Sequence, residues 1–278
     1  MKKTIYISDL DGTLLNTQKK ISGQSVAILN ELIQDRKVHF SVATARTPAT
    51  VEGILQPIHM KEQIIVMNGV ALYDLDKHEY AAVEYIEADL VKQITKALGN
   101  WMKQGFIYTI EAHRLTVHYD ELKGEGRINF YEERKNLSHK KFIREPLIRD
   151  DHVIYFVFID TKENIQEINH LLEPISGIGR VMYQDIYCEN SYLLEVYSER
   201  ATKANGIKKL KAKGHFDKVI VFGDQLNDQN MFQMADEAYA VENAVEEIKQ
   251  YATGIIGTNN EDSVAKFIDH LSKEESEC

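Results

Sequence analysis

A chain of 278 residues corresponds to two domains at roughly 150 residues each, with enough chain for a substantial core in both. Hydrophobic residues at 44% and charged residues at 27% exclude the composition of a disordered protein. The balance of 33 Lys and Arg against 43 Asp and Glu, net charge -10, opposes the positive excess that phosphate-backbone binding requires, so nucleic acid is not an expected partner. Cys188 and Cys278 provide no framework of paired bridges, which suits a reducing compartment. The opening segment loses its apolar run after Ile7, and no stretch approaches 18 apolar residues. The expectation is a cytoplasmic protein without membrane contact.

The first hundred residues alternate short β-branched runs with helical patterns, the mark of a parallel sheet with crossover helices. Thr4 to Ser8 reads as the first strand, and Val26, Leu29, Leu32 and Ile33 follow at helical spacing beyond a start signal at Ser22. His39 to Ala43 reads as a second buried strand. Thr47 and Pro48 open a helix that carries Val51, Ile54 and Leu55, and Ile64 to Met67 is a third strand.

From about Val83 the texture changes to longer alternating segments, Phe106 to Ala112, Leu115 to Tyr119 and Val153 to Asp160, which suggest an antiparallel sheet. Helical patterns at Asp89 to Gln104 and Lys162 to Leu172 are expected to cover one face of it. Beyond Tyr192 the parallel-sheet texture returns, with helices over Lys203 to Lys213 and Asn227 to Ala235 and strands over Lys218 to Phe222 and Ala238 to Val241. A last helix carries Val264, Phe267, Ile268 and Leu271, ahead of a tail expected to fray. The fold class is therefore α/β, a Rossmann-like parallel-sheet core of residues 1–82 and 190–278 interrupted by an inserted α+β domain, 83–189.

The richest segment is Asp9-Leu10-Asp11-Gly12-Thr13-Leu14-Leu15, directly after the first strand. Two carboxylates one residue apart, at the carboxyl end of a buried parallel strand, sit where open α/β sheets bind ligands. Burying two like charges is costly unless a cation joins them, so the pair suggests a divalent metal held by oxygen. A strand-ending Asp-Gly turn is the structural alternative. Ala43-Thr44-Ala45-Arg46 offers a hydroxyl and backbone N–H groups before a helix start, a place for a phosphoryl oxygen, though a Thr there is more often a cap. Lys203 opens a helix whose later lysines, Lys208, Lys209, Lys211 and Lys213, read as a solvated face. Phe222-Gly223-Asp224-Gln225-Leu226-Asn227-Asp228 brings two further carboxylates to the end of another strand.

Taken in order, these four segments resemble the haloacid dehalogenase superfamily of phosphotransferases, and in particular its Cof-type phosphatases with a large inserted cap. The resemblance spans nearly the whole chain. It implies Asp9 as nucleophile and Asp11 as general acid and base. It further implies phosphate binding by Thr44 and Lys203, with Leu10 and Ala45 beside them and Asn227 as a phosphate or loop contact. The implied metal is Mg2+, held by Asp9, Asp224, Asp228 and the backbone carbonyl of Asp11. Gln225 stands where a small residue is commoner, Ser263 where Gly is frequent, and Ala201-Thr202 precede Lys203 in place of Val-Ser.

The function so implied is Mg-dependent hydrolysis of small phosphorylated metabolites, sugar phosphates foremost, through an aspartyl-phosphate. The alternatives are a phosphomutase on the same scaffold, a non-catalytic phosphate sensor, and a receiver-like phospho-acceptor. The inserted domain is expected to close over the site and read the leaving group, in a monomer or weak homodimer. Its basic stretch of Arg134, Lys135, Lys140, Lys141, Arg144 and Arg149, with His113, Arg114 and His118, holds specificity candidates that also suit an ordinary surface. Trp101 is most simply core, and Asn68-Gly69 either a turn or a substrate contact.

Overall fold

The computed structural model describes residues 3–146, 150–185, 188 and 190–277; Arg149, Glu189 and Cys278 lie outside them. The chain divides into two compact units, one of residues 1–82 with 202–278 and one of Val83–Ala201. Among the described residues no helix is long and apolar enough to cross a membrane.

The first unit runs β1 (Thr4–Ser8), α1 (Gly23–Gln34), β2 (His39–Val42), α2 (Pro48–Leu55), β3 (Ile64–Val66), β4 (Ala71–Asp74) and β5 (Glu79–Ala81). The chain then leaves for the second unit: α3 (Ala88–Leu98), β6 (Gly105–Glu111), β7 (Arg114–Tyr119), α4 (Glu125–Arg134), β8 (Lys140–Arg144), β9 (Val153–Asp160), α5 (Lys162–Leu172), β10 (Ile178–Gln184) and β11 (Tyr192–Ser198). It returns through α6 (Lys203–Gly214), β12 (Lys218–Gly223), α7 (Gln229–Met234), β13 (Glu237–Val241), α8 (Glu246–Lys249), β14 (Gly254–Ile256) and α9 (Ser263–Glu277).

In the first unit a five-stranded parallel sheet has the order β14-β13-β12-β1-β2, and β3 follows through a single parallel bridge between Ala43 and Ile65. All five residues of β1 are buried, as expected for a strand covered on both faces. β1 and β12 are neighbours from which the connections depart in opposite directions, and such a switch point opens a crevice beyond the strand ends. β3, β4 and β5 form a small antiparallel sheet that the sequence reading did not include past Met67.

The second unit is a six-stranded sheet in the order β10-β11-β9-β6-β7-β8. One face packs against α3 and α5, with Val91, Ile94, Leu98, Ile165, Ile168 and Leu172 against Phe156, Phe158, Leu194 and Val196. Trp101 lies half-buried against this cluster, in the core role expected of it. Where the chain enters and leaves, Arg200 meets Glu84 at 2.7 Å and Glu87 at 3.3 Å.

The expected boundary at residue 190 falls instead after Ala201, because β11 pairs antiparallel with both β9 and β10 and so belongs to the inserted sheet. That sheet is not wholly antiparallel: α4 carries the chain across so that β7 and β8 run parallel. The helix expected over Asp89 to Gln104 ends at Leu98, since Gly99 takes a positive φ of 50° and a 3-10 turn follows. α9 extends to Glu277, into the tail segment, and Cys278 lies outside the described residues.

α6 lies close to β3, and Gly206 permits it: a Cβ there would sit 2.6 Å from Ile65 Cγ2. Helix propensity alone favours Gly206→Ala by about 1 kcal/mol. Overpacking of this kind typically costs about 1–3 kcal/mol, so the substitution is expected to lower the melting temperature in thermal denaturation; a rise would show that the helix shifts freely.

Candidate active site

Asp9 is the first residue beyond β1. Its N–H donates to Phe222 O at 2.9 Å, which extends the β1–β12 ladder by one rung and sets Asp9 beside the end of β12. Asp224 is the first residue beyond β12. Asp9, Asp224 and Asp228 are all buried, and their carboxylate oxygens lie within 4.8 Å of one another.

Lys203 stands among them. Unlike the later lysines of its helix, and in keeping with the site role that the resemblance implies for it, it is 1% exposed, and its Nζ donates to Asp9 Oδ1 and Asp228 Oδ1, both at 2.6 Å. It occupies the first turn of α6, whose N-cap Thr202 accepts from Asn205 N. Asp228 is fully used: its other oxygen accepts from the N–H groups of Asp224 and Gln225 at 2.9 and 3.0 Å. Asp228 thus ties Lys203 to the loop that carries Asp224.

With all three carboxylates ionised, one ammonium leaves two excess negative charges in a buried site. Burial pushes Asp9 up to about 7, against the pull of Lys203 and with the help of Asp228 and Asp224. Burial raises Asp224 as well. Burial disfavours the Lys203 ammonium, yet Asp9 and Asp228 outweigh it and raise its pKa. A buried all-oxygen donor set with uncompensated negative charge fits a hard divalent cation, with Asp9 and Asp224 the carboxylates that Asp228 and Lys203 leave best placed to hold it.

Two local features hold this arrangement. Gly12 has φ +83° and a Cβ there would lie 2.4 Å from Asp224 Oδ2, so only glycine lets the β1 loop approach. Thr13 Oγ1 donates to Asp224 Oδ1 at 2.8 Å, and Gln225 Nε2 reaches Asp224 Oδ2 at 3.2 Å. The place of Thr13 in D-x-D-G-T is the only sequence signal for this contact.

Asp11 stands apart from the three clustered carboxylates. Arg46 grips it with two bonds, Nε to Oδ2 at 2.7 Å and Nη2 to Oδ1 at 2.6 Å. These bonds, with the guanidinium charge, hold Asp11 below the usual carboxylate range. A lone Arg after a strand, as in Ala43-Thr44-Ala45-Arg46, carries no sequence signal of its partner. Thr44 is buried, and its Oγ1 accepts from Arg46 N at 3.1 Å. Ala45 and Asn227 are exposed, whereas the Leu10 side chain is core and its carbonyl accepts from Leu15 N at 2.8 Å. Asn227 Nδ2 reaches Asn68 Oδ1 at 3.4 Å.

Several specificity candidates of the second unit carry local partners. Arg134 pairs with Glu133 and Lys135 with Glu132, while burial and the nearby Arg134 bring Lys140 down to about 8. Arg144 donates to Asp120 O, His118 meets Thr109, and His113 turns the β6–β7 hairpin at φ 63°.

Comparison with known proteins agrees with this architecture. The profile of the haloacid dehalogenase-like hydrolases matches residues 6–268. Phosphatase YwpJ of Bacillus subtilis is 22% identical, over 95% of this chain and 98% of its own. Pyridoxal phosphate phosphatase YbhA of Escherichia coli is 25% identical, over 96% and 98%. A solved structure from Thermotoga maritima superposes with a TM-score of 0.74 at 23% identity, covering 97% of each chain, and shares the fold. With four acidic and basic side chains gathered at the switch point of an α/β sheet and a family match over nearly its whole length, the chain belongs to the haloacid dehalogenase-like hydrolases and is a phosphatase of that family.

Proposed function

We propose that the protein is a Mg2+-dependent phosphatase of small phosphorylated metabolites, sugar phosphates and related monoesters, acting through an aspartyl-phosphate on Asp9. The observation that carries this reading is the cluster of Asp9, Asp224, Asp228 and Lys203, with Asp11 held separately two residues from Asp9. A phosphomonoester is dianionic and is repelled by a carboxylate nucleophile, so the site must supply positive charge before Asp9 attacks. Bound Mg2+ would neutralise phosphoryl charge there, held by Asp9, Asp224 and the Asp11 carbonyl, with Asp228 in support.

Lys203 steadies Asp9 and turns toward a phosphoryl oxygen as substrate enters. The Thr44 hydroxyl, the N–H groups of Leu10 and Ala45 and the Asn227 carboxamide complete the phosphate cradle. Asp9 attacks phosphorus and the ester bond breaks. Asp11 gives a proton to the departing alkoxide, then takes one from the water that hydrolyses the acyl phosphate, so one carboxylate serves both half-reactions. The inserted unit sets which leaving groups are accepted. The pyridoxal phosphate phosphatase relative supports small metabolites as substrates.

Asp9→Asn is expected to abolish Mg2+-dependent phosphate release, since an amide cannot form the acyl phosphate. The same variant reports on the electrostatics. With its pKa raised from 3.8 to about 7, Asp9 keeps its proton in the fold to higher pH than in the unfolded chain. The metal-free protein therefore loses stability as pH rises through that window. In chelator at pH 8, Asp9→Asn should melt higher than the parent; a lower melting temperature would contradict the charge imbalance.

Asp11→Asn should slow alkyl phosphates by about 10²- to 10⁴-fold. With a nitrophenyl ester, whose leaving group needs no proton, the first half-reaction outpaces the second and phosphate accumulates on the peptide containing Asp9. Mass spectrometry of acid-quenched protein would read the adduct, and an adduct elsewhere would overturn the assignment.

A further inference from the structure

The loop after β3 is contorted. Met67, Asn68 and Gly69 all have positive φ, at 51°, 53° and 98°. Glycine adopts this region freely and asparagine tolerates it, but a methionine there is strained. The loop is pinned from two sides. Met67 N donates to Arg46 O at 3.0 Å and Asn68 N to Thr44 O at 2.9 Å, which staples it to the Thr44–Arg46 loop. Gly69 lies against the first turn of α6, where a Cβ would come within 2.0 Å of Thr202 O and 3.0 Å of Lys203 N. The segment is thus wedged between the loop that carries Thr44 and the first turn of α6, which carries Lys203.

What this contortion presents is the half-buried Asn68 side chain. Its Oδ1 accepts from Asn227 Nδ2 at 3.4 Å, in the loop between Asp224 and Asp228. Its own Nδ2 donors make no hydrogen bond among the described residues. A turn alone needs only the backbone, and glycine would make this one with less strain. Two N–H donors on a neutral carboxamide, next to a site whose charged groups face the phosphoryl group, suit an uncharged oxygen of the substrate.

We propose that Asn68 is a substrate-contacting residue whose carboxamide donates to an oxygen substituent of a polyol or sugar leaving group, with Asn227 holding the amide in orientation. This rests on the phosphatase reading above and narrows it to hydroxylated leaving groups.

Asn68→Gly isolates the claim, because glycine accepts the same backbone conformation and removes only the carboxamide. Asn68→Asp keeps the shape and tolerance of positive φ but loses the donors. Both would be assayed with Mg2+ on hexose, pentose and glycerol phosphates and on p-nitrophenyl phosphate, whose leaving group carries no hydroxyl substituent. For the hydroxylated substrates Asn68→Gly should lower kcat/KM by about five- to twentyfold, mainly through KM. For p-nitrophenyl phosphate it should change by no more than about twofold, with the melting temperature unchanged or raised. Asn68→Asp should lose at least as much on the hydroxylated substrates. Unchanged kinetics on all substrates would make Asn68 a turn residue only, and an equal loss on both classes would place its role at the phosphoryl group or in the scaffold; either overturns the proposal. A parent enzyme active on p-nitrophenyl phosphate but on no hydroxylated phosphate also overturns it, while a parent inactive on every phosphomonoester refutes the underlying function itself.

Discussion

The Lys203 ammonium, closed between Asp9 and Asp228, is the interaction on which the rest of the first unit depends. It joins three pieces of chain, the end of β1, the start of α6 and the turn after β12, and the first of these is 194 residues from the lysine. The pairing spans the entire inserted unit in sequence. A buried ammonium survives only with partners, and here burial opposes the charge while two carboxylates more than restore it. Removing the lysine would leave three carboxylates with no cation, a larger penalty than the loss of one contact. The site is therefore built under a charge deficit that the fold reduces without cancelling.

That deficit explains how two aspartates only two positions apart acquire different characters. Asp9, facing inward, is pushed up to about 7 by burial and by its acidic neighbours. Asp11, across the turn made by Gly12, is held down by the two-pronged grip of Arg46. Neighbouring carboxylates in such different environments are set apart in their readiness to hold a proton. The loops that enforce the separation are packed so closely that glycine is demanded at Gly12 and Gly69, where a side chain would collide with Asp224 and with the α6 backbone.

Much of this was legible in residue order. Each carboxylate of the site follows a strand that the apolar runs marked, and β1 ends at Ser8 as its pattern indicates. The alternation of strand and helix specified a parallel sheet because covered strands must be apolar throughout. What stayed hidden was pairing. Tyr192–Ser198 has the apolar content of a core strand, and nothing in it states that its neighbours are β9 and β10 running the other way. The burial of Lys203 was hidden for a related reason: its partners lie far off in sequence, and the lysines after it share its composition but not its surroundings. Thr13 and Arg46 were visible as letters, but their roles are properties of contacts with Asp224 and Asp11. The apolar run reads as a strand through Met67, but β3 ends at Val66, and only the backbone angles distinguish the strained Met67 to Gly69 loop from an ordinary Asn-Gly turn.

The central claim is that the acidic cluster is short of positive charge and that a divalent cation supplies it. Proton release on metal binding tests this most directly, by calorimetric titration of Mg2+ into metal-free protein in buffers of different ionisation enthalpy. Because Asp9 is held up to about 7, binding at pH 6.5 should release a substantial fraction of one proton, falling toward zero at pH 8.5 and in Asp9→Asn at either pH. Binding with no proton release at pH 6.5, or release that persists undiminished in Asp9→Asn, would contradict the account.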